Sequence, residues 1–319
     1  MQQAFPPLSE AYALANSGRI HDAIPLVERH AAAGNGEALF LLGDIYWRGF
    51  GVDQDFRRGR ELFGRAAEAG NPVAQKAWTN LLGSGIAGAR DWPQALERLE
   101  REAQTDGLRA QMFSVIRAME LDREGNPLLV PAGERLAERP KVILYPAVFS
   151  RAECDFLRLI AEPTYQRTET VLQPGDTIRA FMRTAQGSTI HWIIEDPASH
   201  AINRRLAALT ETAVNQGEPL QILRYRPGQE YRPHLDFLDE PNRRILTALI
   251  YLNDDYEGGE TSFTSIGLNV KGRTGDALVF RSQGPDGNVE PLSWHAGLPV
   301  IRGTKYLASR WIRERAFRP

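Results

Sequence analysis

Residues 224–236 have the sequence RYRPGQEYRPHLD, which ends in the triplet His234-Leu235-Asp236. On a β-strand, alternate side chains point to one face, so the imidazole of His234 and the carboxylate of Asp236 would lie side by side. Alone this signal is weak, because the six histidines of the chain would produce about 0.3 His-x-Asp triplets by chance. The triplet therefore directs attention to a further ligand elsewhere in the chain.

His295 is the candidate for that ligand, and it lies 59 positions after Asp236. Two histidines and one carboxylate form a facial triad, the arrangement that suits non-haem iron(II). Three protein ligands on one face of an octahedral ion leave two sites for a chelating 2-oxo acid and one for dioxygen. Lys305, on the inward face of a predicted strand, would neutralise the distal carboxylate of that acid; the alternative is an ordinary surface lysine.

The chain around these residues reads as short strands separated by Gly, Asn and Asp. The predicted strands are Leu220–Tyr225, Ile245–Leu252, Ala277–Phe280 and Tyr306–Ile312. Many short strands without helices between them favour a double-stranded β-helix, or jelly roll. Upstream, Ser150 and Glu153 have the spacing of a capping box and predict a helix that flanks this domain.

The first third of the chain reads instead as helical repeats. Gly34-Asn35 recurs as Gly70-Asn71, 36 residues later, and Ala38, Ala74 and Ala110 recur at the same period. A period of this size, with small residues at fixed points, predicts stacked helix pairs that form an α-solenoid.

The helical pattern stops around Arg123–Pro127, and Pro131 and Pro140 prevent it from resuming. We therefore predict an α+β multidomain protein. Helical repeats would occupy residues 1–122, a linker 123–140, and the jelly-roll domain with its flanking helices 141–319.

Composition excludes several classes of function. The chain has 319 residues, a net charge of −2 and a pI near 6.3, which gives no reason to expect a general affinity for nucleic acid or an anionic membrane. The basic ending, Arg310 to Arg318, is interpreted as the solvated face of a terminal strand. The single cysteine, Cys154, allows neither an intrachain disulfide nor a thiolate zinc site. Without a visible secretory signal or an apolar run of about 20 residues, we expect a cytoplasmic protein.

The segment from Leu223 to Ile312 resembles the catalytic core of the prolyl 4-hydroxylases, within the 2-oxoglutarate oxygenase superfamily. The matching blocks are, in chain order, Arg224-Tyr225-x-Pro227-Gly228-Gln229-x-Tyr231-x-x-His234-x-Asp236, Arg244-x-x-Thr247-Ala248-Leu249-Ile250-Tyr251-Leu252-Asn253, Glu257-Gly258-Gly259-Glu260-Thr261-x-Phe263, Gly275-Asp276-Ala277-Leu278-Val279-Phe280, His295-x-x-Leu298-Pro299-Val300-x-x-Gly303-x-Lys305 and Trp311-Ile312. Resemblance upstream is weaker, although Arg183-Thr184-x-x-Gly187 is similar to the mobile substrate loop of that family.

The resemblance implies a role for nine residues. The iron ligands and catalytic residues would be His234, Asp236 and His295, the 2-oxoglutarate ligands Lys305, Tyr225 and Thr261, and the substrate-side residues Tyr231, Arg244 and Trp311. Each has a structural alternative: the aromatic residues could belong to the core, and Arg244 could pair with Asp239 or Glu240. The implied cofactor is Fe(II), with 2-oxoglutarate and dioxygen as co-substrates and ascorbate as a candidate reductant.

The implied activity is hydroxylation of a peptidyl proline in a protein, coupled to decarboxylation of 2-oxoglutarate. Related halogenases have a small residue where this chain has Asp236, so hydroxylation is the expected outcome. A free amino acid or small metabolite is the alternative substrate, since family resemblance indicates chemistry better than substrate. Two further alternatives are a non-catalytic repeat scaffold with a vestigial jelly roll and a cupin-type metal protein. The intact triad and Lys305 count against the scaffold, and a cupin-type protein that does not use 2-oxoglutarate would need neither Lys305 nor the block around Thr261.

The N-terminal region resembles the Sel-like class of tetratricopeptide-like repeats. The residues that carry the resemblance are Leu42-Gly43, Tyr46, Gly49-Phe50-Gly51-Val52, Asp55 and Ala66-Ala67-Glu68-Ala69-Gly70. Such repeats usually bind proteins, so we expect a protein or peptide substrate that the repeats recruit. The alternative is that they only brace the neighbouring domain.

Overall fold

The computed structural model describes residues 7–167 and 183–317, which form two compact units. Within these ranges, one unit contains residues 7–113 and 193–197, and the other contains 114–167, 183–192 and 198–317. The first is helical and the second is built on antiparallel sheets, which confirms the predicted α+β class. Among the described residues, no helix combines the length and apolar content that a membrane span requires.

The N-terminal part of the described chain forms seven α-helices. They are α1 (Leu8–Asn16), α2 (Ile20–Ala32), α3 (Gly36–Arg48), α4 (Phe56–Glu68), α5 (Pro72–Ser84), α6 (Trp92–Ala103) and α7 (Gly107–Ala118). Neighbouring helices in the series from α1 to α6 pack against each other, as expected for stacked helix pairs.

The 36-residue period originates in helix capping. The side-chain oxygen of Asn35 accepts a hydrogen bond from Ala38 N at 2.9 Å, and that of Asn71 accepts one from Ala74 N at 2.9 Å. Each asparagine thus satisfies a backbone N–H that has no partner within its own helix. Ala38 and Ala74 are fully buried, so a larger side chain at either position would separate packed helices. Gly43 is equally constrained, because an added Cβ would lie 2.8 Å from the Phe63 ring.

The second unit contains fourteen strands within the described residues. They are β1 (Glu134–Ala137), β2 (Val142–Tyr145), β3 (Gln166–Arg167), β4 (Gln186–Ile190), β5 (Leu220–Tyr225), β6 (Tyr231–His234), β7 (Arg244–Tyr251), β8 (Glu257–Gly258), β9 (Thr261–Phe263), β10 (Leu268–Val270), β11 (Ala277–Arg281), β12 (His295–Gly297), β13 (Val300–Arg302) and β14 (Lys305–Arg313). The larger sheet has the order β1-β2-β11-β7-β14-β5-β4-β3, the smaller one β10-β9-β12-β6, and β13 pairs with β8.

Two helices flank this unit, α8 (Arg151–Ala161) and α9 (Pro197–Thr210). The predicted capping box is present at α8: Ser150 Oγ accepts from Glu153 N at 3.2 Å, and Glu153 Oε2 accepts from Ser150 N at 2.7 Å. Cys154 is fully buried in the core cluster that joins these helices to the larger sheet. A second hydrophobic cluster, which includes Phe263 and Phe280, lies between the two sheets. Its members on the larger sheet alternate along the strands with those of the first cluster. This arrangement confirms the jelly roll with flanking helices.

β14 lies near the middle of the larger sheet, between β7 and β5. Arg310, on this strand, is only 1% exposed. Its guanidinium donates to three backbone carbonyls, from Nε to Glu218 O at 3.1 Å, from Nη1 to Asn203 O at 3.0 Å and from Nη2 to Val214 O at 2.9 Å. The prediction that the basic ending is a solvated face is therefore wrong for Arg310. Arg318, the last residue of that ending, lies outside the described residues.

Candidate metal centre and adjoining pocket

The smaller sheet brings the three predicted metal ligands together. His234 ends β6 and His295 begins β12, and the two residues are directly paired across the strands. Asp236 follows two residues after His234, just beyond the end of the strand. Its Oδ1 lies 3.6 Å from His234 Nε2, and its Oδ2 lies 3.4 Å from His295 Nε2. The three side chains are buried and each offers a ligand atom within 4.8 Å of the others.

Backbone carbonyls orient both imidazoles. His234 Nδ1 lies 2.8 Å from Arg232 O, and His295 Nδ1 lies 3.0 Å from Ser293 O. A carbonyl oxygen can only accept a hydrogen bond, so each Nδ1 carries a proton, and in a neutral imidazole the free lone pair is then on Nε2. Hydrogen bonds of this kind commonly fix metal-binding histidines. Both Nε2 atoms face the carboxylate of Asp236.

The local charges favour the protonation states that a divalent metal needs. Burial, together with the neighbouring His295, lowers the pKa of His234 to about 4. Burial alone would raise the pKa of Asp236, but His295 and His234 outweigh it and hold that pKa well below its usual range. At neutral pH the centre therefore presents a neutral His234 and an ionised Asp236. Metal binding does not have to displace protons from either group.

A pocket opens beside the triad. Its lining consists of His234, Asp236, His295, Lys305, Thr261, Tyr225, Tyr231, Trp311, Arg183, Leu223, Leu249, Leu307, Ser309, Ala296 and Gly297. Eight of the nine residues predicted for the site are in this set. The exception is Arg244.

Lys305 supplies a buried positive charge to the pocket. The side chain is 2% exposed, and its Nζ donates to Gly259 O at 2.7 Å. An ammonium group has three N–H donors, so this one contact leaves donors for a ligand. Burial lowers the pKa of Lys305 to about 8, although the charge of Glu260 opposes the shift. Gly259 has a φ of +69°, and an added Cβ would lie 3.3 Å from Lys305 Cδ; a side chain there would crowd the lysine.

Two hydroxyl groups accompany Lys305. Tyr225 is paired directly opposite it on β5, and burial raises the pKa of Tyr225 to about 12, so this phenol stays protonated at neutral pH. Thr261 Oγ1 accepts a hydrogen bond from Tyr251 Oη at 3.0 Å. Its own hydroxyl proton is therefore available to a ligand. A lysine and two hydroxyl donors form an environment suited to a carboxylate.

Arg244 lies behind the pocket lining and contacts it through Trp311. Its guanidinium packs over the Trp311 ring at 4.2 Å. It donates to both carboxylate oxygens of Glu218, at 2.6 and 2.8 Å. The alternative partners considered for Arg244, Asp239 and Glu240, are therefore wrong. Arg244 supports the tryptophan and keeps its charge paired.

Arg183 is a pocket residue that the nine predicted residues do not include. It is 8% exposed, donates to Gln221 Oε1 at 2.8 Å and lies over the Tyr231 ring at 4.1 Å. Its inclusion in the block similar to the family's substrate loop was the signal that could have identified it. Residues 168–182, immediately before it, lie outside the described residues.

Comparisons with known proteins agree with this geometry. The model of the 2OG-Fe(II) oxygenase superfamily matches residues 220–313, and the Sel1 repeat model matches residues 36–71. Prolyl 4-hydroxylase 1 of Arabidopsis thaliana is 34% identical over 198 residues, which cover 56% of this chain and 70% of the relative. The chain belongs to the prolyl 4-hydroxylase family. Probable prolyl 4-hydroxylase 3 of the same plant is 36% identical over 205 residues, 56% of this chain and 71% of the relative.

Among solved structures, this chain is similar to the collagen prolyl hydroxylase of Paramecium Bursaria Chlorella virus-1. It has 25% sequence identity and a TM-score of 0.44, and the match covers 54% of this chain and 95% of the viral protein.

Membership of the family establishes the chemistry. The protein is a dioxygenase that depends on Fe(II) and 2-oxoglutarate. The donor set of two imidazole nitrogens and one carboxylate fits a non-haem iron(II) ion. The non-catalytic scaffold and the cupin-type protein are therefore not favoured.

Proposed function

We propose that this enzyme hydroxylates proline residues in a peptide or protein, with iron held by His234, Asp236 and His295. The observation that carries the proposal is the preset triad beside a pocket with one buried lysine. The naming of both Arabidopsis relatives as prolyl 4-hydroxylases supports proline as the substrate.

Bound iron would supply the activation of dioxygen, coupled to conversion of 2-oxoglutarate into succinate and carbon dioxide. The protein's task is to hold the co-substrate and exclude water. Lys305 would bind its 5-carboxylate, with Tyr225 and Thr261 donating further hydrogen bonds. Three leucines of the lining, Leu223, Leu249 and Leu307, provide apolar walls that limit the access of water.

The substrate side of the pocket is aromatic and cationic. Tyr231 and Trp311 offer flat apolar surfaces to a pyrrolidine ring, which has no N–H to donate when it belongs to a peptide. Arg183, held over Tyr231, would donate to a main-chain carbonyl of the substrate. Arg244 would act through Trp311, because Glu218 already occupies its guanidinium.

Three finer features belong to the same proposal. The helical repeats would recruit the protein substrate, and the Sel1 match over residues 36–71 supports this role. Ascorbate would serve as the reductant that maintains Fe(II). The cytoplasm is the proposed location.

The test is to measure succinate release with a panel of proline-containing peptides and free amino acids, and to detect the added oxygen by mass spectrometry. We expect a peptide to gain one oxygen atom at proline. A matched peptide with alanine in place of that proline should remain unmodified. Turnover of free amino acids alone would contradict the peptidyl substrate, and absence of turnover with every substrate would leave proline hydroxylation unsupported.

A further inference from the structure

Thr247 contacts the candidate metal centre directly through one of its three side chains. It lies on β7, is 1% exposed, and its Oγ1 donates a hydrogen bond to Asp236 Oδ2 at 2.6 Å. The acceptor is an ionised carboxylate, and charge-assisted hydrogen bonds are shorter and stronger than neutral ones. The contact therefore constrains the rotation of the carboxylate about its own axis.

The two oxygens of Asp236 have different surroundings. Oδ2 accepts from Thr247 and faces His295 Nε2 at 3.4 Å, whereas Oδ1 faces His234 Nε2 at 3.6 Å. Thr247 thus engages one oxygen and leaves the other with no hydroxyl donor among the described residues. A metal ion bound between the two imidazoles and Asp236 would therefore meet a carboxylate whose Oδ2 already accepts a hydrogen bond from Thr247.

We propose that Thr247 is a positioning residue that makes Asp236 a single-oxygen ligand of the iron. The inference rests on the proposed iron ligands. Its importance follows from the number of coordination sites, because three protein atoms leave three positions on an octahedral ion. A chelating 2-oxo acid takes two of these and dioxygen takes one. A carboxylate that bound through both oxygens would remove a position that the reaction needs.

The strand context explains why a threonine can hold this geometry. Thr247 is paired with Phe280 on β11 and with Trp311 on β14, so hydrogen-bonded neighbours fix its backbone on both sides. Its β-branched side chain has restricted rotation about χ1. In the same row, the Phe280 ring packs edge-on against His295 at 4.6 Å between centroids. One row of the larger sheet therefore orients two of the three ligands.

The experiment compares Thr247→Val, which keeps the shape and removes the hydroxyl, with Thr247→Ser, which keeps the hydroxyl. Full-length protein is titrated with Co(II), a stand-in for iron that resists oxidation, by calorimetry and by its visible d–d absorption. Loss of a partner that orients a metal ligand typically costs about 10- to 100-fold in metal affinity, and we expect the valine variant to lose that much. The serine variant should recover most of the affinity and the wild-type spectrum.

A control for threonine replacement in general is Thr210→Val, which removes a hydroxyl that, among the described residues, bonds to its own helix and to Thr212. It should bind Co(II) as the wild type does. Thermal melting of the metal-free proteins reports whether each variant folds. Wild-type affinity and spectrum in a folded Thr247→Val variant would overturn the proposal.

If the valine variant does not fold, Thr247→Ala replaces it in the comparison with Thr247→Ser, and equal affinities would again overturn the proposal. Failure of the proposed function has a different signature. In that case the wild-type protein itself would not bind Co(II) at the triad, and His295→Ala would leave its Co(II) titration unchanged.

Discussion

Replacing Lys305 with alanine should weaken the binding of 2-oxoglutarate far more than the binding of iron. The ammonium group is 2% exposed, and its contact with Gly259 O leaves donors that can face the co-substrate. A charge-assisted hydrogen bond to a carboxylate contributes about 1.5–3 kcal/mol. If the carboxylate then stays buried without its cation, the loss rises to about 3–5 kcal/mol. At about 1.4 kcal/mol per decade, affinity should fall by about ten- to several-thousand-fold.

Burial of Lys305 places the expected loss in the upper part of this range. Its pKa is already lowered to about 8 in the ligand-free pocket, mainly by burial. Much of the cost of burying the ammonium is therefore met when the chain folds, and binding of the co-substrate adds little to it. Lys305→Arg should give an intermediate affinity, because arginine keeps the charge but presents a longer, planar group. The close packing of Gly259 against the lysine stem leaves little room for that extra length.

The assay is an anaerobic titration of 2-oxoglutarate into the iron(II) protein, followed through the metal-to-ligand absorption band. Iron affinity is measured separately and should be unchanged in Lys305→Ala, because no proposed metal ligand is altered. Wild-type affinity for 2-oxoglutarate in the alanine variant would refute the reasoning and remove Lys305 from the co-substrate site. Equal losses of iron and co-substrate affinity would instead indicate a general collapse of the pocket.

Three further predictions concern charge. Asp236→Ala should abolish hydroxylation measured by succinate release, since the triad loses its anionic ligand; near-wild-type turnover without added carboxylate would reject the assignment. The affinity for 2-oxoglutarate should be constant below the pKa of Lys305 in the free pocket, about 8, and fall above it by up to about tenfold per pH unit, because the bound state retains a proton that the free state has lost. The same titration on Lys305→Arg should be flat. Glu218→Gln should lower the free energy of unfolding by about 3–5 kcal/mol in chemical denaturation, because Arg244 would lose its buried anionic partner. The control Glu257→Gln, in an exposed ion pair, should cost less than about 1 kcal/mol, and equal losses in both variants would contradict the argument.

The candidate metal centre could be predicted from the sequence because its signals are local. His234 and Asp236 are two positions apart, and that spacing is sufficient to place both side chains at the end of one strand. His295 and Lys305 lie in one block that resembles the family's sequence, so predicting them needs no knowledge of long-range pairing. The helical repeats could be predicted for the same reason, since each period carries its own capping asparagine, at Asn35 and at Asn71.

The partner of Arg244 could not be predicted from the sequence, because it depends on which strands become neighbours. Arg244 begins β7, and its partner Glu218 precedes β5, so the pair forms only because β14 lies between these strands. The nearby acids Asp239 and Glu240 were closer in sequence but not in space. The hydrogen bond from Thr247 to Asp236 has the same origin, because Thr247 lies on β7 of the larger sheet and Asp236 follows β6 of the smaller one.

The buried guanidinium of Arg310 has a consequence for how the chain avoids misfolding. A shift of β14 by two residues would keep every side chain on its correct face, so burial alone would scarcely oppose it. Such a shift would nevertheless move Lys305 and Trp311 by about 6.6 Å along the sheet. It would also take Arg310 away from the carbonyls of Glu218, Asn203 and Val214 and leave a buried cation without them. Arg310 thus disfavours a mispaired β14, and in this way a residue outside the pocket lining helps to align Lys305 and Trp311 within the pocket.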